Sequence, residues 1–376
     1  MENSGNRTRA KRTADESARL RPWENANRRV RKNRLKLVAV ILLVLLAVVG
    51  GLRIRYYLGS ISKVHLSDEG LTHDARFKNC LVVHGIDVSE FQDDTNWRKV
   101  KSSGADFVFI RAGYRSKESG ELVEDVDFRD NMKKAGKAGI MKGAYFFSQA
   151  LNETEAIEEA EYLLSLVKRY DIEMPLVIDF ELLSGGRLQE AIDAGELPVA
   201  SMYNDIVLAF CERINKGGYE AAVYANYDML TNYMDSKTLG KEATIWAAQY
   251  NRSCNVKGDY SFWQCAEDAF CEGIKGKVDH DIWYIEPGKV YPTKATGKKD
   301  QTSIGDCKVS FDAESYTLKD NRAEPKVTVM NGDKKLRKGR DYILSFIFNA
   351  ESGTAYAIVR GTGRYRDWTS VPFTIE

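Results

Sequence analysis

The chain has 376 residues, 43% hydrophobic and 29% charged, which excludes a wholly disordered or collagen-like protein and fits about two domains plus a tail. Its net charge of +1 hides an asymmetry, because residues 1–36 carry +8 and the other 340 residues carry −7. Since an acidic folded part repels phosphate, composition argues against nucleic-acid binding, and we expect no nucleic-acid partner.

An apolar segment follows the basic tail. Residues 37–52 (LVAVILLVLLAVVGGL) contain no charge, and the residues up to Leu58 can extend the segment into a membrane interface. A cleaved signal peptide is the alternative, but 36 residues precede the segment and no A-x-A cleavage site follows it before the next charges. We therefore expect a single-pass anchor at 37–58, with the basic tail 1–36 in the cytoplasm and the remainder exported.

Residues 59–80 are polar and are predicted to form a stalk. Between 81 and 286, eight short apolar runs alternate with amphipathic helical patterns, which is typical of a mostly parallel sheet covered on both faces. The runs are 81–89, 105–114, 139–148, 174–182, 221–226, 243–250, 261–266 and 277–284. We predict an α/β fold, a distorted (β/α) TIM-like barrel, whose second half is irregular because helical patterns become short after Tyr219.

The pattern changes towards the C-terminus. Residues 287–302 are rich in lysine, glycine and proline and are predicted to be a linker. Alternating apolar and polar residues then predict a small all-β sandwich over 303–376, with a hairpin at Asn331-Gly332.

Carboxylates follow several of the predicted barrel strands. Asp179 and Glu181 follow an apolar run, and their spacing places them on one side of a strand with Cα atoms about 6.6 Å apart. Burial and mutual repulsion should raise the pKa of at least one, and a neutral acid beside a carboxylate is the pair that glycoside hydrolysis uses. Asp87 and Asp279 follow two other strands, so four acids are expected at one end of the barrel. For the Asp179–Glu181 pair alone, a solvated strand end or a salt-bridged pair is the alternative, and each strand-end acid alone could be a helix cap or a turn residue.

Aromatic and amide residues mark the same strand ends. Aromatic faces can stack on sugar rings and amides can hydrogen-bond hydroxyls, although core packing is the alternative role for each residue. The candidates for substrate binding are Tyr145, Tyr224, Trp246, Gln249, Trp263 and Gln264.

All six cysteines lie in the part that is predicted to be exported, where disulfides are permitted, and Cys265 and Cys271 are close enough to close a small loop. The sequence contains no C-x-x-C, zinc-ligand spacing or P-loop, so no metal and no cofactor is expected.

Six motifs together resemble glycoside hydrolase family 25, the muramidases called Chalaropsis-type lysozymes. They are GIDVSEFQ, IRAGYR, GAYFF, VIDFE, IWAAQY, and WQ followed by GIKGKVDHDIWY, in the order found in that family. The resemblance covers roughly 82–286 and implies a distorted (β/α) barrel that cleaves the β-1,4 bond between N-acetylmuramic acid and N-acetylglucosamine in peptidoglycan.

The resemblance also implies roles for the acids. Glu181 matches the general acid, and Asp179 matches the carboxylate that stabilises positive charge on the sugar or its acetamido group, with a covalent or an acetamido-assisted route left open. Asp87 and Asp279 match the two remaining acids. This chain departs from the family at Phe146, where the family often has His, and at His280-Asp281, where it often has Leu-Asn.

The C-terminal segment is similar to small Ig-like domains of bacterial surface proteins, which act as spacers or adhesive units. The sequence therefore predicts a membrane-anchored muramidase at the outer face of a bacterial cell membrane. Its predicted role is local cell-wall remodelling, with peptidoglycan as substrate and envelope proteins as partners of the Ig-like domain. The alternative is a non-catalytic glycan-binding or scaffolding surface protein of an envelope complex.

Overall fold

The computed structural model describes residues 66–196, 200–293 and 301–376. The predicted tail and anchor, residues 1–58, lie outside the described residues. Within the described ranges, no helix combines the length and apolar character that crossing a membrane requires.

Eight strands form a closed barrel. They are β1 (Leu81–Val88), β2 (Phe107–Arg115), β4 (Met141–Phe147), β5 (Leu176–Asp179), β6 (Ala221–Asn226), β7 (Thr244–Ala248), β8 (Phe262–Ala269) and β9 (Val278–Ile285), and β3 (Leu122–Glu124) pairs with β2 outside the ring. All eight predicted barrel strands are confirmed. The first seven run parallel in the order β1-β2-β4-β5-β6-β7-β8, and β9 closes the ring antiparallel to β8 and β1. The barrel thus departs from the all-parallel TIM arrangement.

Helices cover the outside of the barrel, mainly in its first half. They are α1 (Trp97–Ser102), α2 (Phe128–Ala138), α3 (Glu153–Val167), α4 (Arg187–Asp193), α5 (Ala200–Lys216) and α6 (Ser236–Glu242), with a π-helical turn at Met229–Tyr233 and a 3-10 turn at Ala75–Phe77. The side chain of Asn152 caps α3 by accepting from the N–H of Glu155, and Gly139 ends α2 in the left-handed conformation at φ 77°. The predicted scarcity of helices after Tyr219 is confirmed.

Large side chains fill the lower and middle interior of the barrel. The ring of Phe109 stacks on Trp246 at 4.4 Å between centroids and lies 5.3 Å from Phe262. Gly143 makes room for this packing, because a Cβ there would lie 2.5 Å from the Phe109 ring. Since the interior is packed, only the upper end of the barrel is left for polar side chains.

The C-terminal part is all-β, as predicted. Its strands are β10 (Val290–Tyr291), β11 (Thr302–Ser303), β12 (Lys308–Phe311), β13 (Ser315–Tyr316), β14 (Val327–Asn331), β15 (Lys334–Lys335), β16 (Tyr342–Ile347), β17 (Gly353–Gly361), β18 (Tyr365–Arg366) and β19 (Trp368–Ile375), with a 3-10 turn at Ile304–Asp306. One sheet has the order β10-β19-β17-β16 with β13 beside β19, a second is β12-β14-β15, and β11 pairs with β18. The predicted hairpin joins β14 to β15, with Gly332 at φ 56°. We call residues 301–376 the β domain.

The β domain closes the N-terminal end of the barrel. Trp368 lies 5.3 Å from Trp283 between ring centroids, in a core that also contains residues of both parts of the chain. Around this core, Arg360 Nη1 donates to Glu220 Oε2 at 2.8 Å, and the N–H of Phe348 donates to an oxygen of Asp106 at 2.8 Å. The barrel and the β domain therefore share one compact unit.

Two segments that were predicted as connectors are packed instead. In the described part of the predicted stalk, Leu66 is buried and Phe77 stacks on Tyr284 with a centroid separation of 3.8 Å. In the predicted linker, β10 pairs with β19 and Tyr291 stacks on Trp368 at 4.1 Å. The predictions of a stalk and of a linker were therefore wrong for the described parts of these segments. A few apolar side chains are enough to pack an otherwise polar segment against the folded unit.

Candidate active site

A cleft of about 250 Å³ opens at the C-terminal end of the parallel barrel strands. It contains eight of the predicted site residues, namely Asp87, Asp179, Glu181, Asp279, Tyr145, Tyr224, Trp246 and Gln264. Six lining residues were not predicted, namely Ser89, Phe91, Gln92, Arg111, Phe147 and Tyr250. The fold therefore brings the four predicted acids together from three strands that are distant in sequence.

Asp179 and Glu181 sit on the β5 side of the cleft. Asp179 ends β5, is 7% exposed, and its Oδ1 accepts no hydrogen bond from the described residues. Burial, and next the charge of Glu181, raise the pKa of Asp179 well above its usual value. Burial, and next Asp279, raise the pKa of Glu181 to about 7. The two carboxyls therefore retain a proton near neutral pH. Because the two groups titrate together, this proton is a property of the pair and is not assigned to one carboxyl.

Asp87 and Asp279 lie on the opposite side. They are direct partners in the antiparallel register of β1 and β9, which places neighbouring Cβ atoms about 5 Å apart. Burial, and next Asp279, raise the pKa of Asp87 well above its usual value. Burial, and next Glu267, raise the pKa of Asp279 to about 6. A cleft that holds this many buried carboxyls side by side favours their protonated forms.

Gln264 fixes the orientation of three neighbours. Its Oε1 accepts from the hydroxyls of Tyr224 and Tyr250, both at 2.8 Å, so its Nε2 is left to donate to Asp87 Oδ2 at 2.7 Å. Tyr250 is 49% exposed at the mouth, whereas Tyr224 is buried. The amide thus links the rim of the cleft to a carboxylate on its floor.

Arg111 supplies the positive charge of the cleft. Its Nε donates to Asp125 and its Nη2 to Glu90, each at 2.7 Å, and its charge counteracts the upward shift in the pKa of Asp179. The guanidinium lies 5.0 Å from the ring centroid of Phe91, a rim residue that is 76% exposed. The alternation of apolar residues along β2 was a signal that could have identified Arg111, because it continues the inward-facing series of Phe107 and Phe109.

Two predicted substrate-binding residues lie outside the cleft. Neighbouring residues on a strand face opposite sides, so Trp263 must face the helices when Gln264 faces the interior. Trp263 is fully buried there, and its Nε1 donates to the carbonyl of Gln249 at 2.9 Å. The side chain of Gln249 accepts from the N–H of Asn255 at 2.6 Å and so holds a loop. The binding roles predicted for Trp263 and Gln249 were therefore wrong. Trp246 lines the cleft as a buried part of its floor.

The predicted disulfide between Cys265 and Cys271 is also wrong. Neither Cys265 nor Cys271 forms a disulfide in the structure, and both are free thiols. The Cys265 Sγ faces outwards from β8 and lies 3.3 Å from the carbonyl of His280, whereas Cys271 lies beyond the strand and hydrogen-bonds Ser103. The two cysteines are close in sequence but form no disulfide, because Cys265 lies within β8 and Cys271 lies beyond the end of that strand.

Within the described residues no cluster of His, Cys, Asp or Glu has the arrangement of a metal site.

The cleft combines a protonated carboxyl with a second carboxyl beside it, under a rim of aromatic rings. Such a pair provides acid catalysis and charge stabilisation for cleavage of a glycosidic bond. The chain belongs to the glycosyl hydrolases family 25, whose family model matches residues 86–274.

Lysozymes and an autolysin from other bacteria are similar to part of this chain. Over 207 residues the chain is 26% identical to Lysozyme M1 of Streptomyces globisporus, covering 53% of this chain and 67% of that protein. Over 198 residues it is 25% identical to an autolytic lysozyme of Clostridium acetobutylicum, covering 52% of this chain and 54% of the relative. The modular autolysin LytC from Streptococcus pneumoniae overlaps with a TM-score of 0.46 and 25% identity, over 54% of this chain and 47% of that one. The chain thus spans about half to two thirds of the length of these proteins.

Proposed function

We propose that this chain is a muramidase that hydrolyses the β-1,4 bond between N-acetylmuramic acid and N-acetylglucosamine in peptidoglycan. The observation that carries the proposal is the Asp179–Glu181 pair, buried in a cleft at the end of a barrel, with both pKa values raised. The lysozyme names of two relatives support the choice of substrate.

Glu181 is assigned as the proton donor and Asp179 as the stabilising carboxylate. Glu181 follows β5 and lies nearer the mouth, and its pKa of about 7 lets it hold a proton near neutral pH and release it to the leaving oxygen. Asp179 lies deeper; burial and Glu181 raise its pKa and the charge of Arg111 opposes that rise, so Asp179 is the ionised partner when the single proton of the pair is on Glu181. The free Oδ1 of Asp179 is available to the positive charge that develops on the sugar or its acetamido group.

The rim supplies binding surface for sugar rings. Phe91 and Tyr250 expose aromatic surface at the mouth, and both line the cleft. Aromatic rings pack on the apolar faces of pyranose rings, while Gln92 and the carboxyls offer partners for hydroxyl and acetamido groups. The arrangement suits a glycan that enters from the open end of the barrel.

We also place this activity at the outer face of a bacterial cell membrane, where it would remodel nearby wall. The apolar segment 37–58 and the basic tail before it support this location. The similarity of the β domain to surface Ig-like domains supports a role in contacts with envelope proteins. Protease treatment of intact cells tests the location, since digestion of the barrel with survival of a tagged N-terminus is expected, and protection of both parts would contradict it.

Product analysis tests the reaction. The full-length protein in detergent is incubated with purified peptidoglycan, new reducing ends are reduced with borohydride, and the products are identified by mass spectrometry. Reduced muramic acid is expected from the unmutated protein and from a Glu190→Gln control on an exposed helix, but not from Glu181→Gln. Reduced glucosamine would contradict the bond assignment. Retention on peptidoglycan without any product would favour a non-catalytic glycan-binding protein.

A further inference from the structure

Asp281 is a buried acid that the mechanism above does not use. It lies on the inward face of β9 between Asp279, at the cleft, and Trp283, in the core beneath, and it is 0% exposed. Trp246 Nε1 donates to its Oδ1 at 2.9 Å. A carboxyl this deep in a barrel is costly when ionised, so its remaining oxygen needs a partner.

The candidate for that partner is Asp87 on the neighbouring strand β1. In the β1–β9 register, Asp281 lies opposite Gly85, which has no side chain, and two residues before the Asp87 pair. Asp281 and Asp87 are therefore diagonal neighbours on the inward face of the two strands, close enough for their carboxyls to meet. Within the described residues, no N–H or hydroxyl donates to Asp281 Oδ2. Since ionised carboxylates only accept hydrogen bonds, a hydrogen bond between the two groups requires a proton on one of them.

The surroundings favour keeping that proton. The titratable groups beside Asp281 on the inward face are Asp87 from β1 and Asp279 from its own strand, while β7 contributes the neutral indole of Trp246. The thiol of Cys265 on β8 points to the outer side of the barrel and feels the charge of Asp281 across the sheet. Burial, and next Asp279, raise the pKa of Asp281 well above its usual value. No cation within the described ranges forms an ion pair with it, because the nearest charge that lines the cleft, Arg111, is bound to two other carboxylates.

We propose that Asp87 and Asp281 share one proton, and that Asp281 is a positioning residue that holds the Asp87 carboxyl in the cleft through it. Gln264 fixes one oxygen of Asp87 from the side, and Asp281 fixes the carboxyl from below. The pair then carries one negative charge instead of two, which limits the repulsion felt by Asp179 and Glu181. The catalytic part of this proposal rests on the proposed function of the cleft.

Two variants of the full-length protein separate the hydrogen bond from the charge. Asp281→Asn keeps the shape, lets Nδ2 donate to Asp87 and lets Oδ1 accept from Trp246. Asp281→Leu keeps a similar volume and removes both hydrogen bonds. We expect kcat of Asp281→Asn to stay within about threefold of the unmutated enzyme and kcat of Asp281→Leu to fall about tenfold or more, with smaller changes in KM.

Readouts without substrate test the proton itself. A buried acid with a raised pKa stabilises the fold fully below its unfolded pKa of about 4, and this stability is lost as pH rises towards the folded pKa. The urea midpoint of Asp281→Asn should therefore depend less on pH than that of the unmutated protein. The infrared carbonyl band of protonated carboxylic acids at neutral pH should also weaken in this variant.

The outcomes are distinct. A weaker pH dependence and a weaker acid band in Asp281→Asn support the shared proton, even if the unmutated protein proves inactive on peptidoglycan, which would overturn only the proposed function. An unchanged pH dependence and band, kcat of Asp281→Asn as low as that of Asp281→Leu, or full activity in Asp281→Leu would each overturn the proposal. If Asp281→Leu does not fold, the two substrate-free readouts on Asp281→Asn decide.

Discussion

Glu181→Gln should abolish most activity and stabilise the fold at the same time. Glutamine matches glutamate in size but cannot donate the proton, and loss of a general acid lowers kcat by about 10²–10⁴-fold. At about 1.4 kcal/mol per tenfold, this raises the barrier by roughly 3–6 kcal/mol. The activity is followed as the release of reducing ends from purified peptidoglycan.

The gain in stability follows from the same raised pKa. Because burial and Asp279 raise the pKa of Glu181 from 4.5 to about 7, the folded chain binds this proton more tightly than the unfolded chain does. The stabilisation by the bound proton is complete below pH 4.5 and is lost as the pH rises to about 7. At 1.36 kcal/mol per pKa unit, the loss is at most about 3 kcal/mol. We expect about half of this, since the mouth is open to water.

Urea unfolding of both proteins across this pH range tests the reasoning. Glu181→Gln should match the unmutated protein below pH 4.5 and exceed it in free energy of unfolding by about 1–2 kcal/mol at pH 7. The control Glu190→Gln should show no such divergence. A difference that is the same at both pH values, or an unmutated protein that is the more stable at pH 7, would refute the assignment of a desolvated acid at Glu181.

Three further outcomes are expected. Trp368→Ala should lower the free energy of unfolding by about 3–5 kcal/mol in urea, because it empties the core shared by barrel and β domain, and an unchanged midpoint would contradict that packing. Arg111→Met should raise the lower pKa of the kcat/KM profile, since the charge that favours ionised Asp179 is gone, and an unshifted profile would show that Arg111 has no electrostatic role there. Thiol labelling in denaturant without reductant, followed by peptide mass spectrometry, should modify both Cys265 and Cys271, whereas their recovery as an unlabelled linked pair would contradict the free thiols.

The barrel and its acids were predictable because each signal is local. Buried parallel strands appear as apolar runs, and an acid directly after such a run must lie at one end of the barrel, as Asp179 does. The period-two rule also predicts that Trp263 and Gln264 face opposite sides. The sequence prediction grouped them because both lie at a strand end.

Other features depend on contacts between distant segments. The antiparallel direction of β9 follows from pairing with β1 and β8, and the pattern KVDHDIWY by itself does not specify direction. The docking of the predicted stalk depends on Phe77 meeting Tyr284, more than 200 residues later. Asp281 carries no sign in the sequence that it would lie diagonally across from Asp87, because that placement depends on the pairing of β9 with β1.

The β domain seals one end of the barrel with the core around Trp283 and Trp368, while the cleft opens at the other end. A glycan strand consequently has no passage along the barrel axis. It must lie across the mouth, and both products must leave through the opening by which the substrate entered. An enzyme of this shape needs no free chain end to thread, so cuts are expected within long strands as well as near their ends.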